Sequence, residues 1–379
     1  MNKHLFVLSL AAVLAWPAAA APVQLRQAAP PDGWAAMAGG TRGGADAAAI
    51  LTVTDAAGLR RALDPALPGS RIIQVQGVID MREGRAFAST ADQARRGEVR
   101  LPSHTTLVGI GTDAGFVNAH LMVSRVSQVI IRNLNLSNPC DVAPKWVPDD
   151  GPEGGWNAEF DAISIVGARH VWVDHNSFTD APLTDDTLPV EHGKVRQCHD
   201  GALDIRDASD YVTVSYNHFA QHAKTMLIGA SDTASGDAGH LRITISNNLF
   251  EHVASRAPRV RFGQVHLFNN YHVGDRKHPV YRHGYSVGVA KAARIVSHAN
   301  AYEILGARDC KHAIGVFASE TDAGAFLDQG SLLNGAPLGA CSAIGDPAWT
   351  VPYAFAPLPA AAVPAHVRAN AGAGKPAAN

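Results

Sequence analysis

The sequence predicts an all-β fold, a parallel β-helix. Three observations lead there. Six strand-like segments carry asparagine at one fixed place, the distance between them varies, and 35 glycines with 22 prolines suit turns better than long helices. The segments are IIRNLNLS (130–137), VWVDHNSF (171–178), VTVSYNHF (212–219), ITISNNLF (243–250), VHLFNNYH (265–272) and IVSHANAY (295–302). Their sixth positions are Asn135, Asn176, Asn217, Asn248, Asn270 and Asn300, and four of them place Phe178, Phe219, Phe250 or Tyr302 two residues later.

Successive starts lie 41, 41, 31, 22 and 30 residues apart. A fixed register with a variable period describes coils of one solenoid joined by loops of unequal length. No coil buries its apolar face alone, so coils must stack. Stacking would align the asparagines at one corner, where asparagine tolerates a left-handed bend and its amide can bond along the column. The aromatic positions would form a second column. A β-sandwich would leave six aligned asparagines to chance, and a propeller needs a more regular period.

Taken in order, AAGLRRALD (56–64) reads as a helix capping the open end of the core. RIIQVQGVID (71–80) and HTTLVGIG (104–111) read as the first coils. The stretches 138–170 and 179–200 are long polar loops on one face, the place where such folds build binding surfaces. The Ala/Pro-rich tail after Ala356 is expected to pack along the coils and fray at its end.

The first 21 residues read as a secretory signal peptide, leaving 22–379 as one domain. Lys3 supplies charge, Leu5 to Trp16 an apolar run too short to span a bilayer, and Ala18 to Ala21 the small residues for cleavage near Ala20 or Ala21. Export favours disulfides over thiols. Cys140, Cys198, Cys310 and Cys341 allow three pairings; the expected one joins Cys310 to Cys341 across the shorter loop, and then Cys140 to Cys198. No CxxC spacing points to zinc.

A net charge of −2 gives no basic excess for nucleic acid. Arg256, Arg259 and Arg261 in SRAPRVRF are therefore local chemistry. Asp161, Asp200 and Asp204 stand at the edges of the two long loops. Asp200 and Asp204, four apart, would share the outer face of a strand whose Leu203 and Ile205 point inward. Asp161 has the parity of the buried Ile163 and Ile165, so a bend near Ala162 is required to turn it out. Three hard oxygen ligands on neighbouring coils suit calcium, with surface aspartates as the plain alternative.

Three long stretches then carry a resemblance: WNAEFDAISI with HVWVDHNSFTD, CHDGALDIRDASDYVTVSYNHFAQHAKTMLIG, and RAPRVRFGQVHLFNNYHVGD. Together with GWAAMAGGTRGG (33–44) and AGAGK (371–375), they resemble the pectate lyase family of right-handed parallel β-helix enzymes. The resemblance implies calcium-dependent β-elimination on polygalacturonate; the leader adds secretion, and with nothing in the sequence to indicate an oligomer, a nucleic-acid partner or a membrane partner, a monomer is expected. It implies that Asp161, Asp200 and Asp204 bind Ca2+ and that Glu159 approaches a further calcium arriving with substrate. Lys224 and Arg261 would bind substrate carboxylates, and Arg256 would be the base. Arg259 has no implied role, and Trp172, Asp174 and His175 of VWVDH would pack. His199 and His222, the histidines nearest these residues, are expected to be structural.

Three rivals remain. A pectin lyase acting on neutral esterified polymer would replace the acids with an aromatic cleft. A glycoside hydrolase would need a carboxylate pair with one member protonated. A non-catalytic polysaccharide-binding solenoid would not need Lys224, Arg256 and Arg261 together.

Overall fold

The computed structural model describes residues 24–150, 153–317 and 322–375; the expected signal peptide lies outside the described residues. The strands stack in parallel along one axis. One face is an eight-stranded parallel sheet of Glu98–Arg100, His120–Ser124, Ile163–Val166, Leu203–Arg206, Leu227–Ile228, Arg259–Val260, Val287–Val289 and Ile314–Val316. The other two faces are continuous with each other, because Thr105–Val117 turns the corner and pairs with both Ser127–Arg132 and Asn135–Ser137. This is a right-handed parallel β-helix, the hand that parallel crossovers take.

Inward residues of every coil meet in one core running the length of the molecule, from Val53 to Phe326. Helix Ala56–Ala62 closes its N-terminal end, as the sequence predicts. Asp55 caps it by accepting from Gly58 N (2.6 Å), and Ala56, Leu59 and Ala62 face the core. A second helix, Thr90–Gly97, was not foreseen, because its polar sequence shows no apolar stripe. In the tail, helix Val363–Asn370 buries Val363 and Val367 against Leu249 and Tyr271.

The asparagine column is real and one place shorter than its sequence alignment. Asn176, Asn217, Asn248 and Asn270 each donate Nδ2 to the Oδ1 of the next member, ending at Asn300, over 2.9–3.0 Å. Asn135 is not a member. Ile130 pairs with Trp172 rather than Val171, so Leu134 takes the ladder place and Asn135 bonds Thr112 O and Ala114 O instead. The residues before it, Val129–Ile130–Ile131, are apolar without alternation and so fit two registers one residue apart.

A second correction concerns the bend. The left-handed residue is the one before each ladder asparagine: His175, Tyr216, Asn247, Asn269 and Ala299 have φ between +48° and +55°. The ladder amides hold this bend from outside it, as when Asn217 Nδ2 donates to Ser215 O (2.9 Å). The aromatic column runs Phe178, Phe219, Phe250, His272 and Tyr302 with centroids 4.5–5.1 Å apart. His272 completes it as a neutral ring, its pKa pushed far down by burial.

Candidate active site

The candidate residues gather at the leading edge of the eight-stranded sheet, where the chain enters each strand. Asp161 precedes Ile163–Val166, Asp200 precedes Leu203–Arg206, Lys224 precedes Leu227–Ile228 and Arg256 precedes Arg259–Val260. Leu227 pairs with Arg259, so the same register sets Lys224 beside Arg256 one coil on. Asp204 alone lies within a strand; Asp200 is on the loop before it, which corrects the expectation of one strand carrying both.

The required bend at Ala162 is present. It swings Asp161 toward the outward Ser164, whose hydroxyl donates to Asp161 Oδ2, while Ile163 and Ile165 stay in the core. Asp161 Oδ1 accepts from Gly201 N (2.8 Å) and Asp204 Oδ1 from Leu227 N (2.9 Å). Both Oδ1 atoms face the same spot: a Cβ on Gly201 would strike Asp204 Oδ1 and lie 2.9 Å from Asp161 Oδ1. Glycine there leaves the cradle open.

The electrostatics mark this cradle as short of positive charge. Burial, then the charges of Asp204 and Asp200, push the Asp161 carboxyl well above its ordinary value. Burial and Asp200 push Asp204 up to about 7, against the pull of Leu227 N, Arg256 and Lys224. Buried like charges of this kind are relieved by protons or by a cation. The oxygen-only set fits a hard divalent ion. Asp200 is held instead by Lys224, with Nζ 2.9 Å from Oδ1. The three aspartates are not drawn to mutual ligand distance; among the described residues, the group within 4.8 Å is Cys140, Cys198 and His199, and its sulfurs form a disulfide. Glu159 is exposed and paired with Lys145.

The arginines divide differently from their sequence order. Arg256 takes φ +58°, and the strand begins only at Arg259, so SRAPRVRF is not extended throughout. It lines a cleft of ≈ 540 Å³ together with Lys224, Ser255, Trp156 and Lys194. Arg261 does not line that cleft. Its Nε bonds Asp232 and its Nη1 reaches Gly229 O (3.3 Å). Arg259, to which the resemblance gives no role, lies over the Phe317 ring at 4.7 Å, and burial followed by Arg261 lowers its pKa.

Sequence reasoning missed the far wall of the cleft and a further buried carboxylate beside the three aspartates. Hairpins Lys145–Val147 with Gly155–Asn157 and Val190–Glu191 with Lys194–Val195 form the wall. His192 stacks on Trp146 at 4.6 Å, and Lys194 Nζ bonds Gly154 O at 2.6 Å. Asp141, beside Cys140, is 4% exposed and accepts from Glu159 N at 2.6 Å. The CD dipeptide in a long polar loop gave no periodic signal of that burial.

Other expectations hold. The disulfides are Cys140–Cys198 and Cys310–Cys341. His222 Nδ1 bonds Asp180 (2.6 Å), and the His199 ring lies between Pro139 O and Leu183 O, so both are structural. On another face, Asp174 accepts from Arg132, Ser215 and His175 while Trp172 bonds Ser215, which makes VWVDH a packing unit.

Comparison with known proteins agrees with this architecture. A pectate lyase family model matches residues 6–376. Pectate lyase E of Dickeya dadantii (strain 3937) is 44% identical over 329 residues, covering 84% of this chain and 80% of that one. Pectate lyase A of Dickeya chrysanthemi is 39% identical, covering 99% and 96%. Among solved structures, an arginine-to-lysine variant of the Bacillus subtilis pectate lyase superposes with TM-score 0.87 at 31% identity, covering 93% and 99%. A pectate lyase bound to a hexasaccharide superposes with TM-score 0.85 at 31% identity, covering 92% and 98%. The chain belongs to the pectate lyase family.

Proposed function

We propose that this enzyme is secreted, acts as a single chain, and cleaves polygalacturonate by calcium-dependent β-elimination with Arg256 as the base. The observation that carries the reading is the setting of Arg256. It stands half-buried in the cleft, one coil from Lys224, and makes no ion pair among the described residues. The hexasaccharide bound to a structural relative supports an oligosaccharide occupant for the cleft.

Asp161, Asp200 and Asp204 would hold calcium, and Glu159 a further ion once Lys145 releases it. Bound there, calcium supplies the charge that neutralises a uronate carboxylate and so acidifies the proton on the adjoining C5. Lys224 leaves Asp200 to bind a uronate carboxylate, adding fixed positive charge where the enolate-like oxygens develop. Arg261 would join it only after parting from Asp232. Arg256, in its neutral form, takes the C5 proton. The electron pair becomes the C4–C5 double bond, the C4–O4 bond breaks, and water protonates O4. An arginine side chain in water holds its proton well beyond neutral pH, so activity is expected to rise toward alkaline pH. The leader-like N-terminus and two disulfides support export.

The test is polygalacturonate with and without EDTA, followed by ultraviolet absorbance of the unsaturated product. The expected result is an EDTA-sensitive rise that Arg256→Lys abolishes. Full activity in Arg256→Lys overturns the base. Reducing ends without absorbance, or a rise confined to methylated pectin and insensitive to EDTA, overturns the reaction. An N-terminus near residue 21 or 22 in protein from the culture medium is expected, and a retained leader there overturns cleavage at that place.

A further inference from the structure

We propose that Asp141 is the positioning residue that sets the spacing between the two arms of the aspartate cradle. The inference rests on the reading of Asp161, Asp200 and Asp204 as a calcium site. Asp161 and Asp200 lie near the ends of different connections, 138–162 and 180–202; Gly201 N joins those ends at Asp161 Oδ1, but the long approaches to them need a tie of their own.

Asp141 touches both loops. Its Oδ2 accepts from Glu159 N at 2.6 Å, two residues before Asp161. Its own N–H donates to Cys198 O at 2.8 Å, two residues before Asp200. The preceding residue is joined to Cys198 by the Cys140–Cys198 disulfide. One residue therefore ties the approach to Asp161 to the approach to Asp200.

The carboxylate is held at a cost. It is 4% exposed, and Oδ1 has no hydrogen-bond partner. Burial and then the opposed pull of the Glu159 amide dominate its pKa, which Asp200 helps to push up to about 7. A buried acceptor left half-satisfied lowers stability, and a stability cost at a binding site points to a function that offsets it. Supporting groups around a metal typically change its affinity by about 10–100-fold when removed.

The test is calcium titration of the full mature chain by calorimetry, repeated with terbium luminescence. Asp141→Ala is expected to weaken calcium binding by about 10-fold or more. Asp141→Asn, whose amide oxygen can still accept from Glu159 N, is expected to recover most of the loss. Should the alanine variant not fold, Asp141→Ser, too short to reach Glu159 N, reads the same outcome. Wild-type affinity in the alanine or serine variant overturns the proposal. Equal weakness in alanine and asparagine variants also overturns it, because charge rather than positioning would then be the cause. A wild-type chain that binds no calcium overturns the cradle itself, a different failure.

Discussion

The Lys224 ammonium lies 2.9 Å from the Asp200 carboxylate, so the protein's own cation stands where a dissolved one would bind. On the proposed function, Lys224 and calcium would compete for Asp200 while cooperating on the substrate. Lys224→Met should tighten calcium binding, measured by titration, yet lower kcat by about 10²–10³-fold, the usual loss for one group that stabilises developing charge. Unchanged kcat would remove Lys224 from the chemistry.

The pH response of the calcium-free protein follows from the same carboxylates. Asp204 and Asp141 are pushed up to about 7, and Asp161 lies well above its ordinary value. Each keeps a proton in the folded state that the unfolded chain has already lost. The contribution to stability is thus full below 3.8 and fades as pH rises through the folded values. Thermal melts in EGTA should show Tm falling from pH 4.5 to pH 8 in this window, and calcium should offset the fall. A Tm that rises across the window, or one that calcium leaves alone, contradicts this account.

Breaking the asparagine column in its middle should cost far more than breaking the residue that only resembles a member. Asn217 accepts from Asn176 N and Nδ2 and donates to Val173 O, Ser215 O and Asn248 Oδ1, all buried. Asn217→Ala should destabilise by about 3 kcal/mol or more, since each buried group left unsatisfied costs about 1–3 kcal/mol. Asn135→Ala loses two bonds at a partly exposed site and should cost about 1 kcal/mol. Denaturant unfolding compares them, and equal losses would deny the column its role.

The two disulfides should separate stability from metal binding. Cys140–Cys198 adjoins Asp141 and His199–Asp200, whereas Cys310–Cys341 closes the C-terminal end of the core. Replacing either pair with serine should cost about 2–5 kcal/mol. Weakened calcium binding is expected for the Cys140/Cys198 pair alone, and equal calcium affinity in both double variants would count against the first disulfide as part of the site.

How much of the site was legible depended on whether its signal was periodic. Asn176 through Asn300 and the aromatic column repeat, and stacking turns repetition into contact; the loops that carry the acids show as the gaps between repeats. Asp161, Asp200, Asp204, Lys224 and Arg256 stand out in the sequence through long motifs. Three things were decided only by tertiary packing. The register of the first segment hung on one residue, because the unbroken apolar run Val129–Ile130–Ile131 lets either parity face the core, where strict alternation would have fixed it; pairing of Ile130 with Trp172 settled it in favour of Leu134. The partners of Arg259 and Arg261 came from loops outside their strand, Phe317 and Asp232, which local spacing does not contain. Asp141 is buried where two loops distant in sequence meet beside the Cys140–Cys198 disulfide, a meeting that local sequence does not contain. Repetition along the chain determines the coil, but charges near its edge take their roles from whichever loops fold across them.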